Sequence, residues 1–283
     1  MTRTLALCAD DFGLAPGISA GIARLARTQR LTAIACITNS PHWVEASKQL
    51  AGLPDSVDIG LHLNFTEGLP LSARLARRWP VLPALPRLIV QAHLGLLPRS
   101  EMRNEVHAQL AAYSRALNKP PRFIDGHQHV HHLPMLRDII LDMVEHVQPL
   151  PALRSTARVL GSQAALKRWL IEHTGGRALA TELERRVIAH NPVLLGAYDF
   201  VEPDYRRLMQ GWLAQVPPEG GLLFCHPGER FEGDPPDPIA SARERELAYL
   251  GSAAFVADLA AADVRLGRVW QTAGSVNEKS SRG

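Results

Sequence analysis

Short apolar runs recur along this chain and alternate with segments of helical period. The runs lie at residues 4–9, 31–38, 57–64, 121–127, 152–155, 220–227 and 264–270. Several are apolar on both faces, which is typical of parallel strands covered on both sides. Between them lie segments with apolar residues at helical spacing, as at 18–25 and 106–117. The alternation predicts an α/β fold with mostly parallel strands.

Two stretches interrupt this alternation, but neither divides the chain. Residues 66–100 carry many prolines and no clear period, so we expect a long insertion that leaves the sheet. Residues 228–240 form a second loop, rich in proline and acid. We therefore expect a single domain over residues 1–275, followed by a disordered tail at 276–283.

The composition gives no reason to expect a nucleic-acid partner. Lysine plus arginine number 31 and aspartate plus glutamate 28, which leaves a formal charge of +3 and no concentrated basic face. Three cysteines, Cys8, Cys36 and Cys225, fall in apolar runs and are expected to be reduced core residues. Only six residues lie between Arg3 and Asp10, too few for the apolar region of a signal peptide, and Pro or Arg interrupts the longest apolar stretches before they reach membrane length. We expect no transmembrane segment and a cytoplasmic location.

Two adjacent carboxylates, Asp10 and Asp11, follow the first apolar run in the stretch ADDFGL. Neighbouring side chains on a strand point to opposite faces, so two acids side by side suggest that the strand ends there. If the backbone leaves the extended state, both acids can face one pocket. One can then bind a metal ion while the other stays free to accept a proton from bound water. The alternative is a turn or helix cap, in which aspartates satisfy free backbone amides.

Polar side chains also follow other predicted strands at their carboxyl ends. His62 and Asn64 end the third apolar run, the stretch DGHQHVHH at 125–132 follows the fourth, and His226 follows a late run. Carboxyl ends of parallel strands form the ligand-binding face of α/β sheets and barrels, so these clusters should converge in space. Taken singly, His62 can be a hydrogen-bonded core histidine, and His226 can merely end a strand.

Four histidines within six residues are the strongest single signal in the sequence. His127, His129 and His131 are expected to share one face of an extended strand end, with His132 beside them. Imidazole together with carboxylate suits zinc, manganese, cobalt, nickel or iron, and carboxylate with water also suits magnesium. A catalytic metal typically keeps three protein ligands and one open position. A histidine-rich surface loop is the alternative interpretation.

Four ordered motifs resemble those of the YdjC-like (ChbG/HpnK) carbohydrate deacetylases. They are ADDFGLAPGISAGI, IGLHLNFTEGLPL, DGHQHVHHLP and CHPGE, and the similarity extends from about residue 4 to residue 230. The resemblance implies a distorted (β/α) barrel related to the polysaccharide deacetylases. It also implies one divalent metal ion, held by one aspartate and two histidines. The implied reaction removes N-acetyl groups from an amino sugar, oligosaccharide or glycolipid.

The resemblance also implies roles for individual residues. The implied metal ligands are Asp11, His62 and His127, with magnesium or zinc favoured over manganese, cobalt or nickel. The implied catalytic pair is Asp10 as general base and protonated His226 as the acid that serves the leaving amine. The residues implied to contact the substrate are Asn64, His129, His131 and Arg154.

Two other functions stay open on the sequence alone. A metal-dependent phosphoesterase would use the same ligand types, with two metal ions expected per chain. A sugar- or metal-binding relative without turnover would need neither the free base nor the acid. Apolar residues within 78–97, such as Trp79, Ile89 and Leu94, suggest a lid, a site for a lipid-linked substrate, or a homodimer contact. Their alternative is ordinary packing of an inserted helix onto the barrel.

Overall fold

Eight parallel strands form one sheet in the computed structural model, which describes residues 2–272. The strands are β1 (Arg3–Phe12), β2 (Ala33–Cys36), β3 (Asp58–Leu63), β4 (Phe123–Gly126), β5 (Ala152–Leu153), β6 (Leu194–Leu195), β7 (Gly221–Cys225) and β8 (Val264–Leu266). Their order is β5-β4-β3-β2-β1-β7-β6, and β8 pairs with the start of β1. The predicted α/β architecture with mostly parallel strands is confirmed.

The sheet curls into a distorted barrel whose two edges meet only at isolated bridges. Leu153, the last residue of β5, bridges His190, and Val159 bridges Leu194 of β6. The sequence predicts β5 but not β6, because a strand of two residues carries no recognisable alternation. The expected barrel is confirmed in this distorted form.

Helices connect the strands and cover the outside of the barrel. They are α1 (Pro16–Arg27), α2 (Trp43–Ser47), α3 (Ala73–Arg78), α4 (Leu85–His93), α5 (Arg99–Leu117), α6 (Leu136–Val144), α7 (Ala165–Ile171), α8 (Arg177–Arg185), α9 (Tyr205–Gln215), α10 (Ala240–Leu250) and α11 (Ala253–Ala261). Pro16 begins α1 at a position that needs no backbone donor, and Ile18 and Ile22 are buried beneath the helix. The two predicted helical segments correspond to α1 and the second half of α5.

The insertion at 66–100 leaves the sheet as expected, but it contains the helices α3 and α4. Ser72 caps α3, because its hydroxyl accepts a hydrogen bond from the N–H of Leu75. Leu75 is buried, and α3 packs against α5. Trp79 is only 8 % exposed, as expected if the inserted segment packs onto the barrel, whereas Leu94 is 65 % exposed.

Alternation along the strands creates two apolar layers. On β1, Leu7 belongs to the layer that packs against the helices, whereas Ala6 and Cys8 belong to the barrel interior. The interior layer combines alanines and Cys8 with the rings of Phe123 and Phe224 and with aliphatic side chains such as Leu194 and Leu222. Toward the carboxyl ends of the strands, the inward positions become polar and form the site described below.

All three cysteines, Cys8, Cys36 and Cys225, are buried free thiols, as predicted. Within residues 2–272, no helix combines the length and apolarity needed to cross a bilayer. The predicted tail at 276–283 lies outside the described residues, and the single domain over 1–275 stays a prediction.

Candidate active site

A bulge near the end of β1 brings the two adjacent carboxylates to one side of the strand. The strand runs on to Phe12 instead of ending before Asp10, which corrects the expectation from the sequence. Asp11 has a left-handed backbone with φ of 70°, and the register with β2 shifts between Ala9 and Phe12. Because the bulge cancels the alternation, Asp10 and Asp11 line the same cavity.

Side chains from three strand ends converge on a candidate metal centre. Oδ1 of Asp11 lies 2.9 Å from Nδ1 of His127 and 3.5 Å from Nε2 of His62. One ligand atom from each side chain lies within 4.8 Å of the other two, and all three residues are buried. One carboxylate with two imidazoles is a donor set that suits zinc and the neighbouring transition metals. Geometry and donor chemistry therefore both fit one divalent ion.

Buried negative charge orients and stabilises the two imidazoles. Asp125, the partner of His62 in the β3–β4 register, accepts a hydrogen bond of 2.6 Å from Nδ1 of His62. This contact leaves Nε2 of His62 to face Asp11. Burial lowers the pKa of His62, but the charges of Asp125 and Asp10 outweigh it and raise the pKa to about 10. Burial of His127 is likewise outweighed by Asp11, and its pKa rises to about 9. Both shifts indicate negative charge concentrated where a cation would bind.

Arg154 connects the second acid of the pair to this centre. Its guanidinium donates to both carboxylate oxygens of Asp10, at 2.7 and 2.6 Å. It also forms a 2.5 Å ion pair with Asp125 and contacts the thiol of Cys8 at 3.1 Å. Burial raises the pKa of Asp10, but the charge of Arg154 outweighs it and lowers the pKa. Asp10 is therefore ionised and firmly oriented, and it lies outside the ligand set.

His226 lines the same cavity directly after β7. Its backbone N–H donates to Oε2 of Glu246 at 2.6 Å, and its ring stands edge-on to Phe224 and Phe200. Burial lowers the pKa of His226 to about 4, although the charge of Asp11 opposes the shift. Burial thus favours the neutral imidazole before substrate binds, and the expected role of His226 as the acid stays a prediction.

The histidine cluster does not continue β4 as an extended strand. From His127 onward the chain forms a 3₁₀ turn, in which Gln128 and His129 have left-handed φ angles of 53° and 62°. The expectation that alternate histidines share one face is therefore wrong. His129 lines the cavity, whereas a ring nitrogen of His131 lies 2.9 Å from the backbone carbonyl oxygen of Arg154.

The four residues expected to contact the substrate have different positions. His129 lies on the cavity wall. Asn64, His131 and Arg154 are buried behind the wall, each with at most 1 % exposure. Asn64 shapes the adjacent loop, because its side-chain oxygen accepts the backbone N–H of Glu67 at 3.1 Å. These three residues therefore support the wall instead of making the expected direct contact.

Two residues that the sequence did not single out border the metal centre. Arg243 of α10 donates to Oδ2 of Asp11 at 2.8 Å and to Oδ2 of Asp237 at 2.7 Å. Oε2 of Glu67 lies 3.2 Å from Nε2 of His127. Arg243 stands 232 residues beyond Asp11, so no local spacing connects the two. Glu67, in contrast, belongs to the motif that contains His62 and could have been considered with it.

These groups line a cavity of about 710 Å³, a size typical of small-molecule sites. Its walls come from α4 in the insertion, from α7, and from the proline-rich loop at 235–239. Apolar side chains dominate these walls, among them Leu85, Ile89, Leu170 and Phe200. A charged centre therefore stands beside a mostly apolar space.

Glu246, which holds the backbone of His226, should make the stability of the fold depend on pH. Burial raises its pKa from 4.5 to about 7, although a 2.5 Å hydrogen bond donated by Tyr198 opposes the shift. In the unfolded chain this acid ionises at lower pH, so between about 4.5 and 7 the folded state binds more protons. The free energy of unfolding should therefore fall by about 3 kcal/mol as the pH rises through this range.

Thermal unfolding of the metal-free protein, below and above this pH range, measures the effect. Glu246→Gln imitates the protonated acid toward its partners and should lose most of the pH-dependent difference. Glu244→Gln makes the same change at an exposed position of α10 and should keep the difference. An equal fall in the wild type and in Glu246→Gln would contradict the prediction.

Comparison with known proteins identifies the family. The family model described as YdjC-like protein matches residues 4–261 of the chain. The chain belongs to the YdjC-like family. The match includes every strand from β1 to β7, and with them all candidate ligands of this YdjC-like chain.

Two curated relatives match about half of the chain. A carbohydrate deacetylase of Xenopus laevis is 29 % identical over 150 residues, which covers 50 % of this chain and 47 % of the relative. A chitooligosaccharide deacetylase of Yersinia pestis (strain Pestoides F) is 31 % identical over 151 residues, which covers 50 % and 55 %. The match with this chain thus spans about half the length of these relatives.

A solved structure shares the fold over nearly the whole chain. This protein of Enterococcus faecalis V583 carries a provisional description as a cellobiose-phosphate cleavage protein. It has a TM-score of 0.69 at 19 % identity, over 95 % of this chain and 98 % of that one. At this identity the similarity supports the barrel fold and assigns no activity.

Proposed function

We propose that this YdjC-like chain is a divalent-metal-dependent carbohydrate N-deacetylase. It would hydrolyse the acetamide of an amino sugar, an oligosaccharide or a glycolipid. Asp11, His62 and His127 surround a place for one ion. Asp10 and His226 line the same cavity without belonging to that ligand set. This joint placement carries the proposal, and the family and the two deacetylase relatives support it.

The ligand set gives the metal ion a defined role. Asp11, His62 and His127 would hold it, with zinc or magnesium as first candidates and manganese, cobalt or nickel as alternatives. When bound, the ion would lower the pKa of a water molecule and polarise the acetamide carbonyl. Asp125 and Glu67 contact the outer ring nitrogens of the two histidines and fix their orientation.

Asp10 is the proposed general base. Its carboxylate lies beside the ligand set, where it can accept a proton from the attacking water. Arg154 binds both of its oxygens and keeps it ionised, so that it is ready to accept the proton before the attack. The same contacts fix its orientation, because a bidentate guanidinium leaves the carboxylate little rotation.

His226 is the proposed acid for the leaving amine. Since burial lowers its pKa to about 4 and favours the neutral ring, the imidazole would take up the proton that the attacking water has released to Asp10. It then delivers that proton to the nitrogen as the C–N bond breaks. Packing against Phe224 and Phe200 holds the ring, and Glu246 holds its backbone.

The walls of the cavity are proposed to select the substrate. Apolar side chains from α4, α7 and the loop at 235–239 suit the apolar faces of sugar rings or an attached lipid. These segments lie outside the strands that carry the ligands, so they can vary without disturbing the metal centre. The homodimer, the absence of a nucleic-acid partner and the cytoplasmic location stay predictions.

Release of acetate from N-acetylated chito-oligosaccharides tests the proposed function. We expect release with added zinc or magnesium, its loss after chelation, and its recovery when metal is restored. His62→Ala should release little acetate even with metal added, because it lacks one of the three ligands. The proposal would be rejected if protein that contains one metal ion per chain released no acetate from any of a panel of acetylated amino sugars. Phosphate release from sugar phosphates with two ions per chain would favour the phosphoesterase.

A further inference from the structure

Exposed apolar side chains cluster on two helices that flank the cavity. On α7, Leu166, Trp169 and Leu170 are 71 %, 54 % and 44 % exposed, and their spacing places them on one face of the helix. On α4, Val90 is 55 % exposed, and Leu94 directly after the helix is 65 % exposed. These five side chains are named the rim patch.

The rim patch is continuous with the wall of the cavity. Leu170 is both exposed and part of the lining. On α4, Leu85 and Ile89 line the cavity, whereas Val90 and Leu94 lie on the adjacent, exposed face of the helix. Both helices therefore contribute apolar side chains to the cavity wall and to the neighbouring surface. Scattered exposed apolar residues need no explanation, but a group beside a ligand cavity indicates a contact surface.

Basic side chains accompany the rim patch. The insertion at 66–100 carries five arginines and a single acid, Glu67. In the stretch at 157–171, which contains α7, Arg158 pairs with Glu219 and Lys167 donates to the backbone of Tyr198, which leaves Arg168 as the uncompensated basic residue of this stretch in the described structure. Arg87 is exposed and lies three residues before Val90 on α4. The surface around the patch is therefore both apolar and positively charged.

Another part of the cavity wall has the reverse charge. The loop at 228–240 carries Glu229, Glu232, Asp234 and Asp237. Two of these acids are compensated, because Glu229 pairs with Arg24 and Asp237 pairs with Arg243. Of these two sides of the cavity, the one that carries the rim patch is the better complement to an anionic surface.

We propose that the rim patch docks on the surface of an anionic lipid bilayer and places the cavity beside it. Leucine and tryptophan that project from helices among basic residues are typical of interfacial membrane binding. The apolar side chains would enter the headgroup boundary, and each nearby basic residue would raise the affinity about fivefold. A symmetric contact between two copies would bring the same basic residues face to face, so a second copy is the less suitable occupant.

Co-sedimentation with lipid vesicles tests the proposal. We expect the wild type to bind vesicles of phosphatidylglycerol mixed with phosphatidylcholine, to bind phosphatidylcholine alone weakly, and to dissociate at high salt. Substitution of both Leu166→Ser and Trp169→Ser should reduce the affinity by at least about tenfold, since it removes the apolar anchors. Arg87→Glu should reduce it by about 25-fold, because it removes one favourable charge and adds one unfavourable charge.

Two control variants make similar changes elsewhere on the surface, one from an apolar residue to serine and one from arginine to glutamate. Val256→Ser alters a valine of α11 that is 44 % exposed, and Arg265→Glu alters an exposed arginine of β8. β8 pairs with the start of β1, away from the carboxyl ends that carry the site. Both controls should bind anionic vesicles as the wild type does.

Three results would overturn the proposal. The first is a wild type that does not bind anionic vesicles at low salt, and the second is unchanged binding by the Leu166→Ser, Trp169→Ser double variant. The third is a wild type that self-associates but does not bind vesicles, together with a double variant that no longer self-associates. That result would assign the patch to a homodimer. The melting temperature of each variant verifies its fold. Acetate release from a soluble substrate should stay at the wild-type rate in the double variant, so docking and catalysis are tested separately.

Discussion

The Asp10→Asn variant should bind metal as the wild type does but lose turnover by roughly 100- to 10,000-fold, the usual effect of removing a general base. Asparagine cannot accept the proton that the attacking water releases. Metal binding should persist, because Asp10 lies outside the proposed ligand set of Asp11, His62 and His127. The amide oxygen can still accept one hydrogen bond from Arg154, which preserves part of the native geometry. Acetate release and metal content by elemental analysis measure the two quantities.

Two comparisons make this test specific for the role of each acid. His62→Ala removes a metal ligand, so it should lose both metal and turnover. Asp11→Asn should weaken metal binding for the same reason. If Asp10→Asn lost the metal and Asp11→Asn kept it, the roles of the two acids would be reversed. Asparagine at position 10 also leaves Arg154 less compensated, so thermal unfolding must show that each variant is folded.

The architecture was predictable because the strands are covered on both faces. On β1, Leu7 meets the helices and Cys8 meets the barrel interior, so the run is apolar throughout. That pattern is characteristic of parallel strands and is readable without a structure. β6 could not be predicted, because Leu194 and Leu195 alone contain no period. Its position depends on pairing with β7, which is a tertiary contact.

The convergence of His62 and His127 was also predictable, because both follow strand runs at one edge of the sheet. The backbone that aims the side chains was not. The left-handed φ of Asp11 creates the bulge. Gly13 then allows the backbone to pass close to Ile37, because a Cβ at position 13 would lie 2.6 Å from the carbonyl oxygen of Ile37. Such conformations are imposed by contacts between distant segments, which local propensity does not report.

The position of Arg154 shows a second limit of sequence reasoning. A basic residue at a strand end can point to the substrate or to buried acids, and its local sequence is the same in both cases. The pairing of β5 with β4 determines which of the two Arg154 contacts. It places Arg154, directly after β5, next to Asp125, which orients His62. Arg154 also reaches across the barrel to Asp10, and this contact depends on the strong curvature of the sheet.

Replacing Arg154 by methionine should destabilise the fold by about 3–5 kcal/mol near neutral pH, which is typical when one partner of a buried ion pair is removed. The substitution leaves Asp10 and Asp125 as buried charges without their common cation. Methionine is long and flexible enough to fill much of the space, so the loss reports mainly charge. Urea unfolding of the metal-free protein measures it. Arg158→Met, which breaks an exposed pair with Glu219, should cost only about 0–1 kcal/mol.

The pH dependence of this loss separates charge from packing. In the wild type, Arg154 lowers the pKa of Asp10. The ionised carboxylate therefore stabilises the fold at pH values above its unfolded pKa of about 3.9, and this stabilisation is lost as the pH falls. In Arg154→Met, burial loses its main opponent, so the pKa of the same carboxylate is higher than in the wild type and the group takes up a proton earlier as the pH falls. The difference in unfolding free energy between wild type and variant should therefore shrink from neutral pH toward about pH 4. A difference of constant size across this range would assign the loss to packing and contradict the ion-pair explanation.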